Sequence, residues 1–333
     1  MRITIRDIAK ASNVSHATVS RALNRASDPF ISDATRARVI ETARSMGYQP
    51  NRAARALVTG RTGQISLCLW TENIHNSHQW NVTHMAHAVM QSRSYELLVN
   101  LVGYRTLELA EKNLVSPPSV DGIICYEAAP ALMAMFSNSL PTHVPIVTAG
   151  AYNLLPGVDR VETELMEGSL QAMRHLIGQG KKRIAHLADD LRRDKDARYV
   201  AYAQTMTEAG LPLEFLETPS GRAGPRALIR DYVRDRGAPE AIFCHNDDIA
   251  IGVYRGLRDL GIRIPQDVAI VGCDGLEDTE FLDVPISTIV QPLDKVLELS
   301  CEYLLARIQN PDRPIQTSRV NAVFVERESS ASS

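Results

Sequence analysis

Apolar residues recur along this chain at two different periods, and the change falls near residue 64. Up to residue 60 the spacing is helical. Ile5, Ile8 and Ala9 at i, i+3 and i+4 predict a short amphipathic helix over residues 6–11. Ser12-Asn13 ends it, and Asn13 suits a tight turn because asparagine tolerates a positive φ. Ser15 is the expected N-cap of a second helix, with Val19, Ala22 and Leu23 as its apolar stripe. Asn24 to Ile31 reads as a loop. Ser32 caps a third helix whose apolar surface comes from Ala34, Ala37, Val39, Ile40, Ala43 and Met46, and Gly47 is placed to end it. Pro50 to Val58 then puts proline at a helix N1 position before alanines and arginines, in a segment too short to be stable alone.

From Gln64 onward the apolar residues come in short continuous runs: ISLCLW, YELLVNLV, GIICYE and PIVTAG, then RIAHLA, AIFCHN and VAIVGCD. Such strands alternating with helical stretches predict βαβ units, with parallel sheets covered on both faces. Ligands of these sheets bind beyond the carboxyl ends of the strands. About 270 residues are enough for two lobes.

Charge divides the chain at the same place. Residues 1–63 hold 11 Lys+Arg against 4 Asp+Glu, a net of +7, whereas the remaining 270 hold 25 against 35, a net of −10. The three-helix pattern alone is equally that of a small bundle with no ligand, but a basic head on an acidic body points to a polyanion bound by the head. A helix, a turn and a second helix form the helix-turn-helix pattern, in which the start of the second helix meets base edges in the major groove. The candidates are Ser15, His16, Ala17 and Thr18, with Arg21 one turn later.

Composition is that of an ordinary globular protein, 44% hydrophobic and 23% charged. No run of 18 apolar residues is present and the N-terminus is polar, so neither a membrane span nor a signal peptide is expected. Cys68, Cys125, Cys244, Cys273 and Cys301 lack metal spacing and read as buried, reduced thiols, which fits a cytoplasmic protein. His75, His78, His84 and His87 lack an accompanying Asp or Cys, and no metal or cofactor is expected. The serine-rich end, Ser329 to Ser333, reads as disordered. Neither a nucleophile elbow, a Walker loop nor GxGxxG is present, and the adjacent acids Asp189-Asp190 and Asp247-Asp248 do not suggest a general acid/base pair, so no enzyme is expected.

TIRDIAKASNVSHATVSRALN followed by GYQPNRAARAL resembles the start of the lactose/galactose repressor (LacI/GalR) family, and TVSRALN and GYQPNRAARAL are specific in that order and spacing. Asn13 departs from the family's usual glycine, which its tolerance of positive φ makes benign. The resemblance implies an all-α helix-turn-helix head over residues 1–49, a hinge helix and linker over 50–63, and an α/β two-lobed body like the periplasmic binding proteins over 64–333. Lobe one would hold about 64–160 and 291–321, and lobe two about 161–290 and 322–329. It implies a homodimer that binds palindromic operator DNA as a transcriptional regulator, in the bacterial cytoplasm at the nucleoid. It further implies that two hinge helices meet in the minor groove, where Leu57 enters a base step and Asn51, Arg52 and Arg55 make flanking polar contacts; apolar wedges of this kind kink DNA.

The effector implied is a small, sugar-like molecule between the lobes. After ISLCLW the family tends to carry Asn-Pro-aromatic-aromatic; here Asn76, Ser77, His78 and Gln79 stand there, with Trp80 next, so stacking on a sugar ring falls to His78 or Trp80. Arg198, which on sequence alone could be a solvated neighbour of Arg192, Arg193 and Lys195, matches a family ligand arginine three residues before a small residue, Ala201. Of Asn246 and Asp247, at a strand-to-helix junction, Asp247 is read as the cap and Asn246 as facing the ligand. Asp274 stands at a strand tip, and Glu164 matches a position that is often Asp. A transport binding protein would share the two lobes without the basic head, and a sugar-processing enzyme would need a catalytic pair in the cleft.

Overall fold

The computed structural model describes residues 3–24, 30–48, 56, 60–70, 77–103, 120–127, 134, 144–152, 155–189 and 196–331. Asn51, Arg52, Arg55 and Leu57 lie outside the described residues, as does His75. The chain separates into two compact units, residues 1–62 and 63–333.

The first unit contains α1 (Ile5–Ser12), α2 (His16–Asn24) and α3 (Asp33–Ser45). Thr4 caps α1 in a reciprocal box with Asp7, a T-x-x-D signal that the apolar spacing passes over. Asn13 takes the left-handed conformation at φ 51°, as its turn requires. The Ser15 hydroxyl accepts from Thr18 N at 3.0 Å and that of Ser32 from Thr35 N at 3.3 Å. Gly47, at φ +65°, follows α3, where Gly47 N donates to Arg44 O and Tyr48 N to Ala43 O. Ile8, Val19, Ala22, Ile31, Val39 and Ala43 form the core. The apolar stripe of α3 is narrower than its sequence suggests, because Ala34, Ala37 and Ile40 face outward.

The second unit is built on two six-stranded sheets. The first runs β11-β5-β4-β3-β1-β2, all parallel, from β1 (Gln64–Trp70), β2 (Glu96–Val102), β3 (Gly122–Tyr126), β4 (Ile146–Gly150), β5 (Asp159–Glu164) and β11 (Thr317–Asn321). The second runs β12-β10-β9-β8-β6-β7, from β6 (Ile184–Ala188), β7 (Glu214–Glu217), β8 (Ala241–Cys244), β9 (Ala269–Asp274), β10 (Ser287–Val290) and β12 (Val323–Val325), with only the β12–β10 pair antiparallel. The helices are α4 (Ser77–Ser92), α5 (Met166–Gly178), α6 (Ala197–Glu208), α7 (Ala223–Arg236), α8 (Asp247–Asp259) and α9 (Leu293–Gln309).

The chain passes between sheets after Glu164, after Val290 and after Asn321. The first crossing lies beyond the residue 160 that the family resemblance implies. Val161 and Thr163 of β5 bury in the first lobe while Arg160 points out, so this polar strand completes the sheet by alternation rather than by an apolar run. After β10, α9 returns to lobe one and lays Val296, Leu297, Cys301 and Leu304 against Ile65, Leu67, Ile124 and Val147. All five cysteines are buried and free.

The serine-rich end is not a loose tail over its described part. Ser329 and Ser330 are fully buried. The Ser329 hydroxyl donates to Ile270 O at 2.6 Å and accepts from Ser287 N at 2.8 Å, and Ser330 O lies 2.7 Å from His175 Nε2. The composition argument fails because these small hydroxyls close backbone hydrogen bonds at the end of lobe two, which a disordered serine run does not do.

Candidate functional site

In the first unit the start of α2 is solvent-facing: Ser15, His16, Ala17 and Arg21 are exposed and Thr18 is half-buried. Ser15 and Thr18 share a hydroxyl contact of 2.8 Å, which ties both to the helix cap. The Arg21 guanidinium lies 5.9 Å from the Phe30 ring centroid. His16, Ala17 and Arg21 therefore stand outward on one short helix end while Val19 and Ala22 hold it down.

The second unit has two topological switch points, where neighbouring strands leave in opposite directions and a crevice opens at their carboxyl ends. In lobe one this is between β1 and β3, and in lobe two between β6 and β8. Each is filled by a residue from the helix after the first strand and a group from the end of the second. In lobe one His78, near the start of α4, places Nε2 3.1 Å from Tyr126 OH. In lobe two Arg198, in the first turn of α6, donates to His245 O at 2.6 Å.

Groups of the two lobes also meet. His78 Nδ1 lies 3.6 Å from Asp274 Oδ1, and Arg198 reaches the hydroxyl of Tyr152 beyond β4. Ser77 donates to Asp248 through its N at 3.0 Å and its hydroxyl at 2.8 Å, while Arg222 Nε donates to the same carboxylate at 2.8 Å. Tyr152 and Tyr126 are not marked by any spacing in the sequence, and Ser77 and Asp248 stand there only as members of a run; Tyr152, Ser77 and Asp248 meet partners from the facing lobe, whereas Tyr126 meets His78 within lobe one.

The sequence candidates fall into three groups. His78, Arg198 and Asp274 come together inside the cleft and are buried or nearly so. Gln79 donates to Trp70 O and holds the end of β1, and Trp80 is 63% exposed, so of the two stacking candidates it is His78 that faces the cleft. Glu164 accepts from Met166 N at 2.7 Å and Glu167 N at 3.3 Å, so its carboxylate caps the start of α5.

The cap expected at Asp247 is formed by Asn246 instead. Asn246 is the cap, its Oδ1 accepting from Ile249 N at 2.9 Å. Asp247 is fully buried and accepts from Leu276 N at 2.8 Å and the Thr288 hydroxyl at 2.7 Å, joining β10 to the loop after β9. Both residue types cap helices, and only the packing of β9 and β10 decides which one turns inward.

Asp274 sits at a positive φ of 131° and accepts from Gln291 Nε2 at 2.9 Å. Burial raises its carboxyl pKa to about 8, with Arg198 pulling the other way and Glu127 adding to the rise. Burial, then the neighbouring Asp274, raises Asp247 to about 7. Burial lowers His78, which favours its neutral form. These two acids come from different strand ends, which is why sequence adjacency did not pair them. Asp247 spends its oxygens on Leu276 N and the Thr288 hydroxyl, which makes it a structural anchor beside Asp274.

Both carboxyls hold their protons more tightly folded than unfolded. Between about pH 4 and pH 8 the folded chain keeps protons that the unfolded chain has released, so stability is full below the unfolded pKa and declines as pH rises through the folded values. Urea denaturation across pH 5–8 should show that decline in the parent and a flatter profile in Asp274→Asn. Equal slopes would mean Asp274 ionises normally.

Among the described residues no group of three or more His, Cys, Asp or Glu could hold a metal ion, and no helix is long and apolar enough to cross a membrane.

Comparison with known proteins bears on both units. The family model described as "Bacterial regulatory proteins, lacI family" matches residues 4–51, and that for a periplasmic binding protein-like domain matches residues 173–330. The chain is 29% identical over 332 residues to the ribose operon repressor of Haemophilus influenzae, covering 98% of each. It is 27% identical over 335 residues to the probable HTH-type transcriptional repressor ExuR of Bacillus subtilis, again covering 98% of each. The fold matches the lac repressor dimer bound to operator and the anti-inducer ONPF, with a TM-score of 0.84 at 22% identity over 99% of each chain. It also matches a LacI family regulator from Enterococcus faecium with bound ribose, with a TM-score of 0.69 at 23% identity over 81% of this chain and 99% of that one.

Proposed function

The chain belongs to the lacI family of bacterial regulatory proteins, and we propose that it is a homodimeric repressor of the bacterial cytoplasm whose operator affinity is set by a small polyhydroxylated molecule held between its lobes. The single observation that carries this reading is the convergence, in a chain that also bears a helix-turn-helix, of polar groups from both lobes at two switch points: His78 against Asp274, and Tyr152 against Arg198. A molecule binding there touches both lobes at once and so has different affinity for their different arrangements, which is all that linkage requires. Ribose in the Enterococcus structure, and the name of the Haemophilus relative, support a polyol as the ligand class. Asp274 is assigned to binding, and Asp247 to the structure beneath it.

A homodimer suits the head, since two recognition helices read two half-sites. It also suits the exposed apolar side chains Leu98, Val99 and Leu101 on the edge strand β2, which a second copy would cover. Ser15, His16, Ala17, Thr18 and Arg21 meet the major groove. Asn51, Arg52, Arg55 and Leu57 form the hinge contact in the minor groove.

The reading is tested with a thermal-shift screen of neutral sugars, sugar acids and sugar phosphates, followed by operator titration with any hit. A ligand at 100 times its Kd raises stability by about 2.7 kcal/mol, well within detection. The same molecule must then change operator affinity; a bound molecule that leaves it unchanged contradicts the regulatory role.

The hinge makes its own prediction. Inserting Leu57 into a base step costs a few kcal/mol of unstacking, which a bent duplex touching more protein offsets. Leu57→Ala should weaken operator binding and reduce bending, yet spare the salt-dependent binding to random DNA carried by Arg52, Arg55 and Arg61. A bending assay at two salt concentrations reads this, and parental bending by the variant would reduce the hinge to a tether.

A further inference from the structure

We propose that Asp196 fixes the charge class of the effector: by occupying Arg198 it withholds that guanidinium from anions, so the cleft takes an uncharged polyhydroxylated molecule and rejects sugar acids and sugar phosphates. This rests on the reading of the cleft as the effector site.

Arg198 is the one buried cation among the described residues, with only 3% of its surface exposed. An arginine at a ligand cleft ordinarily invites a carboxylate or phosphate, because its planar fork matches either one bidentately. Here the fork is already taken. Nε donates to Asp196 Oδ1 and NH2 to Asp196 Oδ2, both at 3.0 Å. NH1 donates to His245 O at 2.6 Å and contacts Cys273 Sγ at 3.7 Å. NH2 also lies 2.8 Å from His245 Nε2 and contacts the Tyr152 hydroxyl. A guanidinium has five N–H donors, and all of them are directed at these groups.

Asp196 cannot easily give way. It is the N-cap of α6, accepting from Arg198 N at 2.9 Å, so the cap and the clamp come from one turn of chain. Its side chain is 1% exposed. An incoming anion would have to displace it and separate a buried carboxylate from the Arg198 guanidinium. Removing the partner of a buried ion pair is among the costlier changes a protein can suffer. A neutral hydroxyl faces no such barrier. The Tyr152 phenol, from the opposite lobe, already sits on NH2 as a hydroxyl, and a ligand hydroxyl can take its place without separating any charges.

Arg192, Arg193 and Lys195 lie outside the described residues, so the test isolates the part that depends on Arg198. The full chain is melted against rising inorganic phosphate at constant ionic strength, as the parent, Asp196→Asn, Arg198→Gln, and Asp196→Asn with Arg198→Gln. Asparagine retains the cap and loses the charge. The expected result is a midpoint that does not rise through Arg198 in the parent, rises with phosphate in Asp196→Asn, and is flat again in the double variant. Asp196→Ser, which also keeps a capping hydroxyl, repeats the comparison if the asparagine variant folds poorly. Phosphate stabilisation of the parent that disappears in Arg198→Gln overturns the proposal. So does a folded Asp196 variant that gains no phosphate response. Operator binding measured on the same ligand-free proteins separates this from the regulator reading: a chain that binds no specific DNA sinks that reading, while the phosphate arms still decide what Asp196 does.

Discussion

Arg198→Ala is expected to destabilise the body by about 3–5 kcal/mol and to abolish its effector response, the scale set by breaking a buried ion pair from one side. The variant takes the Arg198 guanidinium away from buried Asp196 and strips a 2.6 Å donor from His245 O. Arg198→Lys should rescue little, because an ammonium cannot bridge both Asp196 oxygens and His245 as the planar fork does. Urea denaturation with calorimetric titration of the screened ligand provides both readouts. A loss below about 1 kcal/mol would put Arg198 in the class of surface ion pairs and remove it from the centre of the cleft.

Arg307→Ala should cost lobe one a similar 3–5 kcal/mol. Arg307 Nε and NH2 donate to the two oxygens of Asp159 at 3.0 and 2.9 Å, and its remaining donors hold Pro311 O, Arg313 O and Pro314 O. Asp159, 1% exposed, also accepts from Gln316 N at 2.7 Å. One guanidinium thus fixes the start of β5 and the approach to β11, the strand from which the chain makes its last crossing. Hydrogen exchange should show β11 and β5 losing protection together in the variant. Unchanged protection in β11 would mean the loop from Asn310 to Gln316 is held by other contacts.

Those two strands also mark where sequence reading stopped. Runs such as ISLCLW and VAIVGCD announce buried parallel strands because both faces are covered. DRVETE and TSRVN announce nothing: β5 buries alternate residues, Asp159 among them, and β11 is an edge strand with alternate residues exposed. The first crossing, which the resemblance implies near residue 160 and so inside β5, falls at the end of that strand, after Glu164.

In the cleft, His78, Arg198 and Asp274 were legible because a family motif or a strand tip pointed to them. Asp196 was not, since an aspartate two residues before an arginine in a polar loop looks like any solvated pair. Tyr152 and Asp248 were not either, because their partners sit across the lobe boundary, more than 40 residues away in sequence for Tyr152 and Arg198. Asn246 and Asp247 show the same limit at a finer scale: two adjacent capping residues can be told apart only by what β9 and β10 place beneath them.

Selection of binding sites from random double-stranded DNA by the full chain tests the central claim most directly. A dimer with one exposed recognition helix per copy should enrich a near-palindrome of two half-sites. A variant altered at both His16 and Ala17 should enrich a different half-site at similar affinity for random DNA, because each good base contact is worth about 1–3 kcal/mol of discrimination and phosphate contacts carry none. Enrichment of no sequence, or of one consensus shared by parent and variant, would contradict the account of the head.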